Sequence, residues 1–585
     1  MKHLGQLICA CLLVSICTLA NSSEYANVTN SRLAQPEDEN WLMYRRTYDG
    51  WGHSPLDQIT PANVKSLRPV WTYSTGVREG HQAPPLINNG MMFVSTPENQ
   101  VLALDAASGD LIWHHVRELP DDLFQLHPTN RGVALFDDIV YLATVDAFLV
   151  ALDAKTGAVL WEREVEDYLS GYYMTMSPLV AEGIVMVGVS GGEFGIRGFV
   201  AGFNATTGEP AWKTYTIPGP GEPGHETWPD DTWQTGGVPV WLTGNYDPVT
   251  KIAYWGTGNG GPWVGATRAG DNLYATSVIA LNVTTGKLVA HHQYHWNDSW
   301  DWDEVSPPLL IDVERDGKTI KGLVHAGRNG YLWLLDRTAE AIRFVDAKPF
   351  VRQNVFTGID PKTGRPTYDE SKKTALGKRV DYCPSLWGGK NWPPSAYNPK
   401  TKLLYIPANE NLCSAMSASP ASYRPGELYM GAALSDLKVY PRNESIEHIG
   451  ELQAWDLSTG ERKWTAKFPQ QLWAPVLSTG GGLVFAGGTN DRFFRAFDAT
   501  NGELLWQQRT NSGVTGVPTS FAVDDVQYIA VQSGWGVDAE RGQAMLNASM
   551  GTNITVPQGG VLWVFALPPG DVEWVSDTSR FEASC

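Results

Sequence analysis

Short apolar runs rich in β-branched and aromatic residues recur along the chain, each closed by Gly, Asn or Asp. Met91-Met92-Phe93-Val94-Ser95, Ile139-Val140-Tyr141-Leu142-Ala143 and Ile184-Val185-Met186-Val187-Gly188 are clear examples. Their length and composition predict strands joined by tight turns rather than helices. A second pattern follows such runs: a small residue, Asp or Asn two positions on, then Gly four residues later, usually preceded by Thr or Ser, and Trp four residues past the Gly. It stands at Ala103 to Trp113, Ala151 to Trp161, Gly202 to Trp212, Ala454 to Trp464 and Ala496 to Trp506, with looser copies at Ala280 to Ala290 and Leu334 to Phe344. The Asp or Asn can accept hydrogen bonds from backbone amides while Gly takes the positive φ of the turn. The closing Trp is then placed to pack on a neighbouring unit.

Self-similarity at about 40 to 55 residues is the mark of a solenoid or a propeller. Seven copies, with a closing unit that includes Val561 to Leu567, predict an all-β fold: an eight-bladed β-propeller with tryptophan docking motifs, formed as one domain by residues 21–585. The intervals 202 to 280 and 334 to 454 are stretched. Long interruptions of a regular array are where functional loops are expected.

Charge removes some functions from consideration. The chain has 585 residues, 44 basic against 63 acidic, and a net charge of −19 without any Lys/Arg cluster, so nucleic acid and acidic membrane surfaces are not expected partners. Lys2 and His3, an apolar run from Leu4 to about Ala20, and small residues before Asn21 predict a signal peptide over residues 1–20 and a periplasmic or secreted protein. No later stretch approaches the eighteen apolar residues of a membrane span. Three of the six cysteines fall in that leader, leaving Cys383, Cys413 and Cys585. In an oxidising compartment the first two could form a loop-tying disulfide, with a two-cysteine metal site as the weaker alternative; Cys585 is the odd thiol. Cys-x-x-Cys-His is absent, no GxGxxG or Walker loop follows an expected strand and opens a helix, and a Ser-His-Asp nucleophile pattern is missing.

The densest chemistry lies at Trp300-Asp301-Trp302-Asp303-Glu304. In an extended segment, residues i and i+2 share a side, so Asp301 and Asp303 would aim into one space and Trp302 away from it. Two carboxylates so close repel unless a cation or proton intervenes; a solvated acidic turn is the bland alternative. Ser190-Gly191-Gly192-Glu193 offers another carboxylate in a glycine-rich turn, and Gly258-Asn259-Gly260 an amide oxygen. Glu, Asn and two Asp make an all-oxygen set suited to a hard cation. Arg328-Asn329-Gly330 ends the strand-like run Gly322 to Ala326 and delivers a guanidinium there.

Together these segments resemble the quinoprotein alcohol dehydrogenases, propellers that use pyrroloquinoline quinone (PQQ). The likeness runs from Trp41 and Ser54-Pro55-Leu56 through the tryptophan repeats to Ser533-Gly534-Trp535-Gly536. By this resemblance Glu193, Asn259, Asp301 and Asp303 are implied as metal ligands, with Asp301 also the base. Arg328 matches the cation beside the reactive carbonyl, and Trp241 the indole under the quinone ring. Arg131, Thr144, Ser190, Gly191, Gly192, Asn391, Trp392 and Asn409 match positions that hold the cofactor's carboxylates and edges. Cys383 and Cys413 sit where relatives have a structural disulfide. The acidic residue at 303 resembles the forms that use a lanthanide, with calcium as the alternative.

What this implies is oxidation of a small primary alcohol: Asp301 takes the hydroxyl proton, hydride passes to metal-polarised PQQ, and electrons leave to a soluble cytochrome c. Whether the chain forms a homodimer is left open. Two departures from the family pattern stand out. Gln125-Leu126 replaces a pair of adjacent cysteines that covers the quinone face opposite the tryptophan, and Gln82 replaces a glutamate. A catalytically silent propeller scaffold of the outer-membrane assembly type is the alternative reading; it predicts no such oxygen-donor quartet.

Overall fold

In several repeats the inner strands are buried on both faces while the outermost strand alternates. Met91–Ser95 is buried throughout, and Gln100–Asp105 is buried except at its ends, whereas Val159–Glu164, Pro210–Tyr215 and Leu504–Arg509 turn polar side chains outward at alternate positions. That gradient fits a sheet whose inner strands are covered on both faces and whose outer edge meets water. The computed structural model describes residues 25–443 and 447–570. The expected signal peptide and Cys585 lie outside the described residues.

Eight four-stranded antiparallel sheets follow one another along the described chain. They cover residues 86–116, 134–164, 179–215, 245–293, 309–349, 396–468, 477–509 and 519–566. The seventh gains a short parallel edge strand, His53–Ser54, and the eighth takes Arg68–Ser74 as its outer strand, against Val561–Ala566. Residues from the two ends of the described chain thus complete one sheet. The architecture is an all-β propeller.

The turn motif works as its residues predict. Asp105 Oδ1 accepts from the amides of Ala107 (3.0 Å) and Ser108 (2.9 Å), and Gly109 stands at φ +80°. A Cβ on Gly109 would lie 2.6 Å from the Trp71 ring of the eighth sheet, and one on Gly157 would lie 2.6 Å from Trp113 of the first. Glycine is therefore required both by φ and by the indole lying on the turn. The indole nitrogens reach the following sheet: Trp113 donates to Ala154 O (2.9 Å), Trp161 to Thr206 O (3.0 Å), Trp212 to Val283 O (2.8 Å), Trp464 to Ala499 O (3.1 Å) and Trp506 to Leu67 O (2.9 Å).

The stretched interval from 334 to 454 carries elements outside the regular sheets. They are a hairpin, Phe356–Ile359 with Pro366–Tyr368, and a three-stranded sheet of Arg379–Tyr382, Leu412–Ser417 and Lys438–Pro441. A disulfide joins Cys383 to Cys413 within this insertion. The helix Val537–Met550, set between two strands of the eighth sheet, packs on Lys438–Pro441. Among the described residues no helix is long and apolar enough to cross a membrane.

Candidate active site

The acidic segment at 300–304 is not extended. Asp301 has φ +64°, and the turn is pinned by the buried Asp298, whose carboxylate accepts from the amides of Trp300 (3.4 Å), Asp301 (3.2 Å) and Trp302 (3.3 Å) and lies 3.2 Å from His295 Nε2. The two indoles anchor it from behind. Trp300 donates to Lys372 O and Trp302 to Ser385 O, with ring centroids 5.0 Å apart. Trp302 is buried in the core, while Asp301 and Asp303 both face one cavity of about 300 Å³. The expected division of side chains holds, produced by a capped turn rather than by strand pleat.

Four sequence segments meet at Asp303. Its Oδ2 accepts from Trp241 Nε1 at 3.1 Å and lies 3.2 Å from Arg328 Nη2; its Oδ1 accepts from the Asn259 amide at 2.5 Å. Arg328 Nη1 donates to Asp301 O at 2.9 Å. The Arg328 turn is held in turn by Glu304, fully buried, which accepts from the amides of Arg328 and Asn329 and lies 2.6 Å from His325 Nε2. Glu193 enters the same cavity from a short turn beginning at Gly191. A Cβ on Gly191 would lie 2.2 Å from Gly171 O, and its φ is +115°, so this corner admits only glycine.

The site carries more negative charge than it neutralises. Burial pushes the Asp303 carboxyl up to about 6, opposed by Arg328 and reinforced by Glu193. Burial, then the charge of Asp303, drives Asp301 well above the ordinary carboxylate range, with Arg328 opposing. A raised folded-state value means the metal-free native protein favours the protonated acid. Its contribution to stability is present below the unfolded value, about 3.9, and is lost as pH rises through about 6. A cation bound between the carboxylates removes that loss. The thermal shift on adding a lanthanide should therefore be small near pH 4.5 and grow toward pH 7, as read by melting curves with and without metal. A shift that does not change with pH would contradict the coupling.

Other positions supply independent tests of fit. Arg131 is fully buried between the rings of Trp241 (4.7 Å) and Trp392 (5.2 Å) and donates to Thr175 Oγ1 at 2.5 Å, yet its Nε has no acceptor and no carboxylate among the described residues pairs with it. A buried guanidinium without an anion fits an anionic ligand. The Asn259 side-chain amide lies 3.0 Å from Asp303 Oδ1 and 2.9 Å from Trp263 Nε1, and with its nitrogen toward the carboxylate it hydrogen-bonds to both; turned over, it would offer its oxygen beside Asp303 to a cation. Among the described residues no three His, Cys, Asp or Glu side chains form a ready-made metal cluster; the fit rests on charge and on converging oxygens.

The cavity brings together Arg131, Ser190, Gly191, Glu193, Trp241, Asp301, Asp303 and Arg328. Gly192 and Asn259 stand just behind, since a Cβ on Gly192 would lie 3.0 Å from Asn259 Oδ1. Three expected positions are occupied otherwise. The Thr144 hydroxyl accepts from Phe148 N and donates to Phe148 O, closing its own turn. Asn391 caps its neighbours Trp387 O and Trp392 N, and Asn409 brackets the Leu472 backbone through both side-chain atoms. Sequence reading missed Thr175, His127, Tyr173, Trp263, Trp387, Asp538 and Arg541, all of which line the cavity.

The chain matches the PQQ family model described as glucose/ethanol/alcohol dehydrogenase, beta-propeller domain, over residues 41–363 and 466–529. It is 37% identical to the quinoprotein alcohol dehydrogenase PedH of Pseudomonas putida, covering 95% of this chain and 96% of that one. It is 33% identical to a quinoprotein ethanol dehydrogenase of Pseudomonas putida, over 98% of both chains. Among solved structures, a europium-containing methanol dehydrogenase superposes with a TM-score of 0.86 at 33% identity, over 92% of this chain and all of that one.

Proposed function

The chain belongs to the PQQ-containing glucose/ethanol/alcohol dehydrogenase family, and from that membership we propose that it is an exported, metal-dependent enzyme oxidising primary alcohols to aldehydes. Its eight sheets are read as the blades of one ring, locked by the tryptophan contacts and formed by residues 21–585 as a single domain. The observation that carries the function is the pairing, in one cavity, of two buried carboxylates in need of a cation with a buried Arg131 in need of an anion. PQQ, an anionic quinone, would meet the second need and, when bound together with a metal, would supply an electrophilic hydride acceptor.

The chain's own residues divide the remaining work. Arg131, Ser190 and the backbone at Gly191 and Gly192 hold the cofactor's polar edge, with Thr175 serving where Thr144 was expected. Trp241 offers a flat face, kept in orientation by its bond to Asp303. Glu193, Asn259, Asp301 and Asp303 hold the metal. Asp301 takes the alcohol's hydroxyl proton, and Arg328 stabilises negative charge at the reacting carbonyl. Trp387, Leu428, Met430, Leu434, Leu437 and Met545 give the rest of the cavity an apolar wall that excludes water around the alcohol's carbon chain.

Three carboxylates, Glu193, Asp301 and Asp303, match a trivalent ion better than a divalent one, so the metal is assigned as a lanthanide with calcium as the alternative. The europium-containing neighbour supports that choice. Electrons are assigned to a soluble cytochrome c as acceptor. Apoprotein supplied with PQQ and a lanthanide should oxidise ethanol with an artificial electron acceptor, and should reduce added cytochrome c. No turnover with any of lanthanum, europium or calcium, together with no quinone absorbance retained after desalting, would overturn the assignment.

A further inference from the structure

Residues 117–133 connect the first and second sheets without any strand or helix, yet Leu126 and His127 of this connection form part of the cavity wall. Leu126 is half-buried, flanked by polar residues and packed at the edge of the hydrophobic core. Its carbonyl oxygen accepts a hydrogen bond from the Arg541 guanidinium of the helix Val537–Met550. The next residue, His127, lies between two further partners, with Nε2 3.2 Å from Asp538 Oδ1 and Nδ1 3.0 Å from the Tyr173 hydroxyl. Arg541 Nη1 lies 3.5 Å from the same Asp538 oxygen.

Both ends of this chain of contacts are fixed. Asp538 stands in the first turn of its helix, where a carboxylate is favoured, and the amide of the preceding Val537 donates to Glu79 Oε1 at 3.0 Å. At the other end Tyr173 O accepts from Ser190 N at 2.8 Å, next to Gly191 of the cofactor corner. A buried carboxylate is costly unless paired, and among the described residues Asp538, 4% exposed, is within ion-pair distance of His127 in the 126–127 segment and of Arg541 in its own helix. All five residues of the chain line the cavity, so the network borders the ligand space instead of lying behind it.

We propose that Asp538, Arg541 and His127 form a polar clamp that holds Leu126 as the apolar cover of the bound cofactor and thereby sets how slowly the cofactor is released. This rests on the PQQ assignment above. A cover held by side-chain contacts must detach for the cofactor to leave, and detachment breaks the Arg541 bond to Leu126 O and separates His127 from Asp538. Weakening the clamp and shrinking the cover should then have one shared effect.

The test is the rate of PQQ release from lanthanide-loaded protein, followed by loss of quinone absorbance into excess competing apoprotein. Leu126→Ala and Asp538→Asn should each speed release by about tenfold or more, an effect of the size usually seen in dissociation rates. The double variant should exceed the faster single by no more than about threefold, because both remove the same cover. Leu126→Met, which keeps the apolar bulk, should stay within about threefold of wild type. If Asp538→Asn does not fold, Leu126→Ala against Leu126→Met decides the matter alone. Release from Leu126→Ala at the wild-type rate, or effects that multiply fully in the double variant, would overturn the clamp. Failure of the wild type itself to bind PQQ would overturn the cofactor assignment and the clamp with it.

Discussion

Replacing Asp301 by Asn is expected to lower kcat for ethanol by about 10³-fold or more, within the range of a lost general base at a charged site. The amide keeps the shape of the side chain and an oxygen donor, and the turn is pinned through the backbone by Asp298, so the fold and the cavity should persist. What disappears is the group to which the proposed arrangement assigns the hydroxyl proton. A fall in kcat with a similar fall in kcat/KM would show that the loss lies in the transition state. Initial rates with an artificial acceptor, paired with a quinone absorbance spectrum to confirm cofactor loading, give the comparison. Turnover within about tenfold of wild type would assign the base elsewhere.

Asp303→Ala should have the next largest effect, and on the metal before the chemistry. The carboxylate is one of three acidic groups set against the cation, so its loss lowers the negative charge while Arg328 and Trp241 Nε1 lose their partner at 3.2 and 3.1 Å. Attraction to a trivalent ion falls more than attraction to a divalent one. The ratio of lanthanide to calcium affinity should therefore drop by about 10²-fold, which corresponds to about 2.7 kcal/mol. Metal titrations of activity, with europium luminescence as a direct reading of occupancy, measure it. An unchanged ratio would remove Asp303 from the selection of the metal.

The repeats were legible because each works locally. Asp105, Gly109 and Trp113 fall within one short stretch, and the bonds that make the turn join neighbours in the chain. Glu193 and the Asp301/Asp303 pair, which the structure brings to one cavity, stand in tight motifs and are conspicuous in the sequence for the same reason. Thr175 is not: it sits between two methionines with no motif, and only folding brings its hydroxyl to Arg131. Thr144 misled because a threonine beside a strand end looks available, whereas its hydroxyl is consumed by its own turn. Asp538 and His127 lie at opposite ends of the sequence, and neither predicts the other without the helix that joins them.

Gln125 and Leu126 illustrate a different limit. Read as letters they are departures from the family pattern, and they say nothing of what stands in their place. The structure shows Leu126 in the cavity wall with Arg541 on its carbonyl, so the departure is accompanied by a separate set of contacts rather than by an opening. Gln82 is the second departure. It is buried, its Oε1 has no partner, and nothing in the structure explains the substitution.

One cavity is proposed to hold both a metal and a quinone on residues of this chain. Crystals grown with PQQ and europium, examined at the europium absorption edge, test this directly. One strong anomalous peak is expected among Glu193, Asn259, Asp301 and Asp303, with planar density against Trp241 and a carboxylate on Arg131. A peak elsewhere, or a cavity holding neither ion nor quinone in protein saturated with both, would contradict it.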